Sequence, residues 1–442
     1  MSKLVRGLGL TQAVAINTID MVGIGPFIVI PFVIGAMHGP QCIIAWVLGA
    51  ALAFADGAVW AELGAKWPEA GGSYAFLQNL YGREKWGRLM SFLYVWQTII
   101  QAPLVAASGA IGFSQYLLYL IPSLSPVEQK AVSGGLIILI IILLYRNITS
   151  IGKISVVMGA IVGGTILWLI ISGFSHFNST LAFTFNKDAF DFTPLFFVGL
   201  GQASTKTIYS YLGYYNVCHL GGEIKEPQRN IPHSIFISIA IIAALYILMQ
   251  TAVLGVIPWQ EAKNSEFIVS LFFERLYGHT AALIATGLIL FIAVSSLFAV
   301  MLGYSRVPYA AAVDGNFFAV FGKLHPTKNF PYVSLLVLAG AAFVFSLLFK
   351  MKEIITAIII MRILVQFVGQ AFGLVLYHKN KPEQKFPYRM WLYPLPPVIA
   401  IAGWWFIFFS AEVKYILGAL GVIGVGVILF WGREGIRSQS NT

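Results

Sequence analysis

The stretch that decides the fold of this chain is residues 17–27, which read NTIDMVGIGPF inside a long apolar segment. Gly23, Gly25 and Pro26 lie within four residues of one another, and glycine and proline are poor helix formers. Pro26 has no amide hydrogen to donate, and its ring clashes with the carbonyl group of Val22. The pattern predicts a transmembrane helix broken at mid-span, which is tolerable only where the unwound backbone lines a cavity or is buried in protein.

The composition of the whole chain places this stretch in a membrane protein. The chain has 442 residues, of which 58% are hydrophobic and 10% charged, whereas a soluble domain is usually about 45–50% apolar and about 25% charged. Apolar runs of about 20 residues, long enough to cross a bilayer, recur from Thr11 to Trp431. This composition excludes a soluble enzyme, a disulfide-stapled secreted domain and a disordered tail. The two cysteines, Cys42 and Cys218, give neither a disulfide framework nor a metal-ligand spacing.

The apolar runs predict an all-α polytopic membrane protein with twelve transmembrane helices in a single domain that spans residues 1–442. The predicted helices are 12–36, 41–66, 87–121, 129–146, 153–173, 192–220, 231–256, 281–312, 332–349, 354–378, 391–410 and 414–432. Of the 28 Lys and Arg residues, 19 fall on the side of the N-terminus, 7 on the opposite side and 2 inside spans, a count that includes Lys3 and Lys350. Because cytoplasmic loops carry the excess of basic residues, both termini are predicted to be cytoplasmic, in a multi-pass protein of the plasma (cell inner) membrane.

The two predicted breaks offer opposite kinds of backbone group to a ligand. The half-helix that starts near Gly25 would aim free N–H groups and a positive dipole end at a cavity, which suits a carboxylate; close packing through small residues is the alternative. Residues 209–223 read YSYLGYYNVCHLGGE, and Gly213 amid four tyrosines predicts a second break. Its freed carbonyls could accept an ammonium group and its tyrosines could stack on a small ligand, or the tyrosines form a packing cluster. Breaks in helices one and six, five helices apart, would belong to an inverted repeat, which is the best sequence pointer to a transporter binding site.

Ionisable groups inside predicted spans are functional candidates because an unpaired charge in a membrane is costly. Asp20 lies three residues before Gly23, within one helical turn of the break. It could carry a coupling proton, favour a cationic substrate or a cation, or cap a freed backbone N–H. For Asp56, Lys206 and Arg362 the structural interpretation is favoured, in which each is one half of a buried pair.

Three motifs, in order along the chain, together resemble the amino acid–polyamine–organocation superfamily of transporters. Gly23-Ile24-Gly25 matches the broken first helix of that superfamily, and residues 68–74, PEAGGSY, are similar to its signature after helix two. Residues 211–214, YLGY, followed by 223–232, EIKEPQRNIP, resemble its sixth helix and the loop that follows. The resemblance covers nearly the whole chain.

The resemblance implies a fold and a function. The fold is a five-plus-five inverted repeat of the leucine-transporter type, with repeat one at about 12–173, repeat two at about 192–378, and helices 11 and 12 at about 391–432. The function is secondary transport of amino acids or related amines by alternating access, without enzymatic activity. In such transporters the substrate carboxylate meets amides of the first break and the amino group meets carbonyls of both breaks, while Tyr209 sits where relatives place an aromatic gate. The breaks and the resemblance together predict these substrate-binding residues: Asp20, Gly23, Ile24, Gly25, Tyr209, Ser210, Tyr211, Leu212, Gly213 and Tyr215.

The coupling ion is predicted to be sodium or a proton, and no other cofactor is predicted. In sodium-coupled relatives, helix-one carbonyls and two adjacent hydroxyl residues of helix eight hold the ion. Carried over, this implies a site made of Ile19, Val22, Ser295 and Ser296. The helix-five lysine of many proton-coupled or exchanging relatives is absent, because Gly159 stands at that position. Proton coupling through Asp20 and uncoupled exchange stay open as alternatives.

Other functions are weighed against transport. A polyamine or cationic amine transporter of the same fold is the nearest alternative. A multi-pass membrane enzyme would need a zinc-binding or nucleophile motif. A channel would need equivalent loops around a pore. The sequence shows neither pattern. The expected partners are a small-molecule substrate and the lipid bilayer, and not nucleic acid.

Overall fold

The computed structural model describes residues 4–349 and 351–440, and helices are its only extended regular elements. They are α1 (Leu10–Met21), α2 (Gly25–Met37), α3 (Ile43–Lys66), α4 (Ser73–Leu80), α5 (Lys85–Leu117), α6 (Pro126–Leu144), α7 (Ile148–Ser175), α8 (Ser179–Phe183), α9 (Pro194–Tyr211), α10 (Asn216–His219), α11 (Pro227–Leu254), α12 (Trp259–Ala262), α13 (Ile268–Tyr277), α14 (His279–Tyr304), α15 (Arg306–Val313), α16 (Tyr332–Leu348), α17 (Met351–Arg362), α18 (Gly369–Asn380), α19 (Leu395–Phe409) and α20 (Val413–Ser440). Lys3 and Lys350, which entered the charge count, lie outside the described residues, as do the side chains of 351–355 and 435–440.

Many of these helices are long and apolar enough to cross a membrane. Eight stretches of the described residues meet this criterion, and the bent pair α1 and α2 adds a ninth. The eight are Pro40–Lys66, Lys85–Leu117, Pro126–Leu144, Ile148–Ser175, Pro227–Leu254, His279–Val313, Thr356–Asn380 and Val413–Glu434. Two shorter apolar helices are α16 and α19. The predicted all-α, multi-pass membrane fold is therefore confirmed, and the count of twelve spans stays a prediction.

The broken helices lie at the centre of the bundle. α1 packs against α7, α11 and α14, while α2 packs against α9, and α9 also packs against α3. Within the most apolar window of each span, 67% of Lys85–Leu117 is buried but only 17% of Val413–Glu434. Because lipid solvates apolar side chains as well as a protein core does, α20 is stable at the periphery, and the central positions are left to the helices that shape a cavity.

Candidate binding site

The first break leaves backbone amides without partners at the start of a helix. α1 ends at Met21, α2 begins at Gly25, and the two axes differ by 47°. Within the described chain, the N–H groups of Gly23, Ile24 and Gly25 donate no backbone hydrogen bond, and no side chain caps α2. Pro26 occupies the first turn of α2, where a missing N–H costs nothing. These amides also carry the positive end of the helix dipole, an arrangement that is suited to a carboxylate.

The second break exposes acceptors instead of donors. α9 ends at Tyr211 and α10 begins at Asn216. The carbonyl groups of Tyr211 and Leu212 accept no backbone hydrogen bond from the described residues. Between the two helices, Gly213 has a φ of +126°, a conformation that favours glycine. The freed carbonyls suit an ammonium group.

The two breaks touch each other through backbone. A Cβ atom on Gly213 would lie 2.7 Å from the amide nitrogen of Met21 and 2.9 Å from the carbonyl carbon of Asp20. Only glycine allows this approach. Tyr246 of α11 joins the two breaks again, since its hydroxyl donates to the carbonyl of Met21 at 2.8 Å and to that of Ser210 at 3.2 Å.

A cavity lies between the breaks, with about 60 Å³ of space for the centres of water molecules. One water needs roughly 10–15 Å³ by this measure, so the cavity has room for a small polar molecule. Nine of the ten predicted substrate-binding residues line it: Asp20, Gly23, Ile24, Gly25, Tyr209, Ser210, Leu212, Gly213 and Tyr215. α5, α14 and α17 contribute further lining residues, among them Val105, Tyr304 and Arg362.

Tyr211 is the predicted residue that does not line this cavity. Its side chain is fully buried, and its hydroxyl donates to the carbonyl of Trp46 at 3.1 Å. The ring packs edge-on against Trp46 and Tyr246. The structure thus places the Tyr211 side chain in the packing between α9, α3 and α11, while its backbone carbonyl belongs to the break.

Tyr209 covers the amides of the first break. A Cβ atom on Gly25 would lie 2.8 Å from Cε1 of the Tyr209 ring, so the ring packs directly over the glycine. The Tyr209 hydroxyl is 3.1 Å from the hydroxyl of Ser108 on α5. The ring is therefore held between α9 and α5, and its role as a gate stays a prediction.

Asp20 lines the cavity at the end of α1. Its carboxyl group lies near the Asn216 side chain and within electrostatic range of Arg362. The carbonyl oxygen of Asp20 also accepts a hydrogen bond from the Ser296 hydroxyl at 3.4 Å. Asp20 is therefore an acidic residue among those that line the cavity.

The four residues of the predicted sodium site differ in their surroundings. Ser296 lines the cavity and lies against the first break, whereas the Ser295 hydroxyl donates to the carbonyl of Phe291 in its own helix at 2.9 Å. Ile19 and Val22 are buried beside the cavity-lining residues. Of the two hydroxyls, Ser296 is the one turned towards the helix-one backbone. The described residues contain no cluster of three or more His, Cys, Asp or Glu side chains that could hold a metal ion.

Arg362 lines the cavity and is absent from the predicted site. Its side chain is 3% exposed. Nε donates to Oε1 of Gln366 at 2.7 Å, and Nη2 donates to the hydroxyl of Tyr215 at 2.5 Å. The guanidinium also lies over the rings of Tyr215, Tyr304 and Phe367. The sequence showed that Arg362 is a charged residue inside a predicted span. It did not show that this residue lines the cavity.

Asp56 and Lys206 have neutral partners rather than the predicted charged ones. The Asp56 carboxylate accepts hydrogen bonds from the Tyr214 hydroxyl at 2.5 Å and from the Trp404 indole at 3.1 Å. Lys206 donates to the hydroxyl of Thr356 at 3.1 Å. Neither residue lines the cavity, in agreement with the structural interpretation of both.

A buried ion pair and two backbone hydrogen bonds meet at Glu223, just after the second break. Arg306 donates from Nε and Nη2 to the carboxylate of Glu223, each at 2.9 Å, and both side chains are at most 2% exposed. The N–H groups of Gly7 and Leu8 donate to the carbonyl of Glu223 at 2.9 and 3.1 Å. These contacts join the N-terminal segment, the segment after the second break and the start of α15. The sequence placed Glu223 in a motif without indicating Arg306 as its partner.

Two broken helices around a cavity with both polar and apolar lining residues, inside an all-helical membrane bundle, are typical of a membrane transporter for small molecules. Comparison with known families gives the particular class: the profile described as "Amino acid permease" matches residues 8–441. The chain belongs to this family of the amino acid–polyamine–organocation superfamily and is an integral, multi-pass amino acid permease. The family and its named relatives are transporters rather than enzymes.

Curated relatives support this assignment along most of the chain. The serine/threonine exchanger SteT of Bacillus subtilis (strain 168) is 27% identical over 446 residues, covering 97% of this chain and 97% of the relative. The cationic amino acid transporter 4 of Mus musculus is 25% identical over 82% of this chain, which spans 58% of that relative. The aspartate-proton symporter of Bacillus subtilis (strain 168) is 26% identical over 68% of this chain, which spans 59% of that relative.

Proposed function

We propose that this permease moves amino acids by alternating access and binds the substrate between the two broken helices. The observation that carries the proposal is the set of free N–H groups at Gly23, Ile24 and Gly25, which face a cavity at a helix N-terminus. The substrate carboxylate binds these amides, and the ammonium group binds the carbonyls of the second break and lies near Asp20. Both charged ends of a zwitterion then meet groups of opposite polarity.

The same proposal includes the finer architecture. Twelve spans form a five-plus-five inverted repeat, with repeat one at about 12–173 and repeat two at about 192–378. The protein lies in the plasma (cell inner) membrane with both termini in the cytoplasm. The charge bias of the loops supports this orientation, because basic residues are retained on the cytoplasmic side. In this orientation the Glu223–Arg306 ion pair lies on the cytoplasmic side, and it is proposed to help close the path between the cavity and the cytoplasm.

Coupling is proposed to a cation near the first break. In one form, sodium binds the hydroxyls of Ser295 and Ser296 and the backbone carbonyls of Ile19 and Val22. In the other form, Asp20 carries a proton, and its place in the cavity supports this second form. Uncoupled exchange of one amino acid for another is the third possibility, and SteT is named as an exchanger.

The proposed carboxylate site is tested by adding one methyl group. Gly25→Ala puts a Cβ atom 2.8 Å from the Tyr209 ring, so the ring or the break has to shift away from the bound carboxylate. Overpacking of this size costs about 1–3 kcal/mol, which predicts affinity for the transported amino acid weaker by roughly 5- to 100-fold. The measurement is substrate binding to purified protein and uptake into proteoliposomes, over a panel of amino acids and one polyamine.

The matched control is Gly163→Ala on α7, because a Cβ atom there meets nothing within 4 Å. This variant should bind and transport like the unmodified protein. Equal substrate affinity in Gly25→Ala and Gly163→Ala would contradict the proposal that the substrate carboxylate binds at the first break. Preferential uptake of the polyamine would favour the cationic amine alternative.

A further inference from the structure

Arg362 is a buried cation with unused hydrogen-bonding capacity. Its Nε and Nη2 have acceptors in Gln366 and Tyr215, but Nη1 has no hydrogen-bond partner among the described residues. Nη1 is not an enclosed atom either, and the residue lines the cavity. Arginine carries five N–H donors in a planar fork that matches a carboxylate. The unused donors therefore belong to a residue that lines the cavity proposed to bind substrate.

The charge of Arg362 is also unmatched at close range. None of the ion pairs found within 4.0 Å among the described residues includes Arg362. Asp20 and Asp56 lie within electrostatic range, but the Asp56 oxygens already accept bonds from Tyr214 and Trp404. A buried charge is stable when it is paired and hydrogen-bonded, so the guanidinium has a place for one more anionic group.

The local backbone holds Arg362 in this orientation. α17 ends at Arg362, and residues Ile363–Val368 form a π-helical turn, a rare conformation that is frequent at functional sites. Gln366, which accepts the bond from Nε, lies in that turn. The rings of Tyr215, Tyr304 and Phe367 pack on the guanidinium. The guanidinium is therefore fixed before any ligand enters.

We propose that Arg362 binds the side-chain carboxylate of the substrate, which makes acidic amino acids, such as aspartate and glutamate, the preferred class. This inference rests on the proposed function, in which the amides of the first break take the main-chain carboxylate. In such a complex each charge has an opposite partner: the α-carboxylate meets the α2 N-terminus, the ammonium meets Asp20, and the second carboxylate meets Arg362. A neutral side chain leaves Nη1 without a partner, and a cationic side chain is repelled.

Two pairs of substrates test the proposal on the unmodified protein. Aspartate and asparagine have the same shape and differ in the charge of one group, as do glutamate and glutamine. A hydrogen bond to a charged group contributes about 1.5–3 kcal/mol, which corresponds to a preference for the acid over its amide of roughly 10- to 100-fold. The measurement is competition for uptake into proteoliposomes, together with direct binding in detergent. A preference for the amides overturns the proposal.

Variants then assign the preference to Arg362. Arg362→Gln should remove the acid-over-amide preference, and Arg362→Lys, which keeps the charge but loses the fork, should retain part of it. The matched control is Lys206→Met, which removes another intramembrane cation that does not line the cavity and should leave the preference unchanged. Gel filtration and thermal unfolding show whether each variant is folded.

The outcomes distinguish a failure of the proposed function from a failure of the proposed role of Arg362. If no amino acid is taken up or bound, the proposed function fails. If amino acids are transported but Arg362→Gln weakens acids and amides by the same factor, Arg362 serves the main-chain carboxylate or the packing, and the present inference fails alone. If Arg362→Gln is unfolded, Arg362→Lys and the substrate pairs on the unmodified protein decide the question.

Discussion

The two breaks that enclose the cavity are stabilised in different ways. The second break is buttressed by side chains: Asn17 accepts a hydrogen bond from the N–H of Val217 at 3.0 Å, Asn216 donates to the carbonyl of Ala299 at 2.8 Å, and Tyr214 donates to Asp56. The amides of the first break have no such partners among the described residues. The first break therefore has donors that are free to bind a ligand, whereas side-chain hydrogen bonds hold the second break and its tyrosines in place.

The largest effect should come from the point where the two breaks touch. Gly213→Ala forces a residue with a side chain into a left-handed conformation and puts a Cβ atom 2.7 Å from the amide nitrogen of Met21. Strain and overpacking together cost roughly 2–6 kcal/mol, so we expect loss of uptake and a lower melting temperature. Gly287→Ala on α14 is the control, because a Cβ atom there meets nothing within 4 Å. Full transport by Gly213→Ala would mean that the breaks do not need this contact.

A smaller effect is expected from the tyrosine that joins both breaks. Tyr246→Phe removes the hydrogen bonds to the carbonyls of Met21 and Ser210 while keeping the ring that packs against Trp46. The single hydroxyl hydrogen is shared between the two carbonyls, and its loss leaves a buried acceptor unpaired at a cost of roughly 1–3 kcal/mol, so substrate affinity and thermal stability should both fall moderately. Tyr211→Phe is the comparison, because it removes a hydroxyl bonded to Trp46 alone. Substrate affinity should fall more in Tyr246→Phe, and the opposite order would contradict the joint role of Tyr246.

The smallest effect separates the two neighbouring serines of α14. Ser296→Ala removes a hydroxyl that bonds to the first break, whereas Ser295→Ala removes one bonded within its own helix. If sodium binds here, Ser296→Ala should raise the sodium concentration for half-maximal uptake by roughly 2- to 12-fold, and Ser295→Ala should change it less. Uptake measured over separate sodium and pH gradients gives the answer. Uptake that is independent of sodium but depends on pH, and that loses its pH dependence in Asp20→Asn, would show that the coupling ion is a proton and not sodium.

The sequence predicted the breaks because their causes are local. Glycine and proline weaken a helix wherever they occur, so Gly23, Gly25, Pro26 and Gly213 marked both interruptions without any tertiary information. The residues on either side of each break then line the cavity. Tyr211 differs because the direction of its ring is set by packing against Trp46, which lies 165 residues earlier in the chain.

The parts that sequence reasoning missed depend on contacts between distant residues. Arg362 faces the cavity because a π-helical turn follows it and Tyr215, 147 residues away, accepts its hydrogen bond. The partners of Asp56 lie 158 and 348 residues away, and the pairing of Glu223 with Arg306 spans 83 residues. A charge inside a predicted span indicates that the residue has a partner or a ligand. Only the folded structure identifies that partner or ligand.

The contacts of Glu223 with Arg306, Gly7 and Leu8 have a consequence for how this permease works. Glu223 follows the second break directly in sequence, binds Arg306 through its side chain and holds Gly7 and Leu8 through its carbonyl. A movement of Glu223 away from this position would therefore have to break the ion pair with Arg306 and the hydrogen bonds from Gly7 and Leu8 together. Stronger binding of Gly7 and Leu8 to Glu223 would therefore be expected to slow any opening of the permease at this contact.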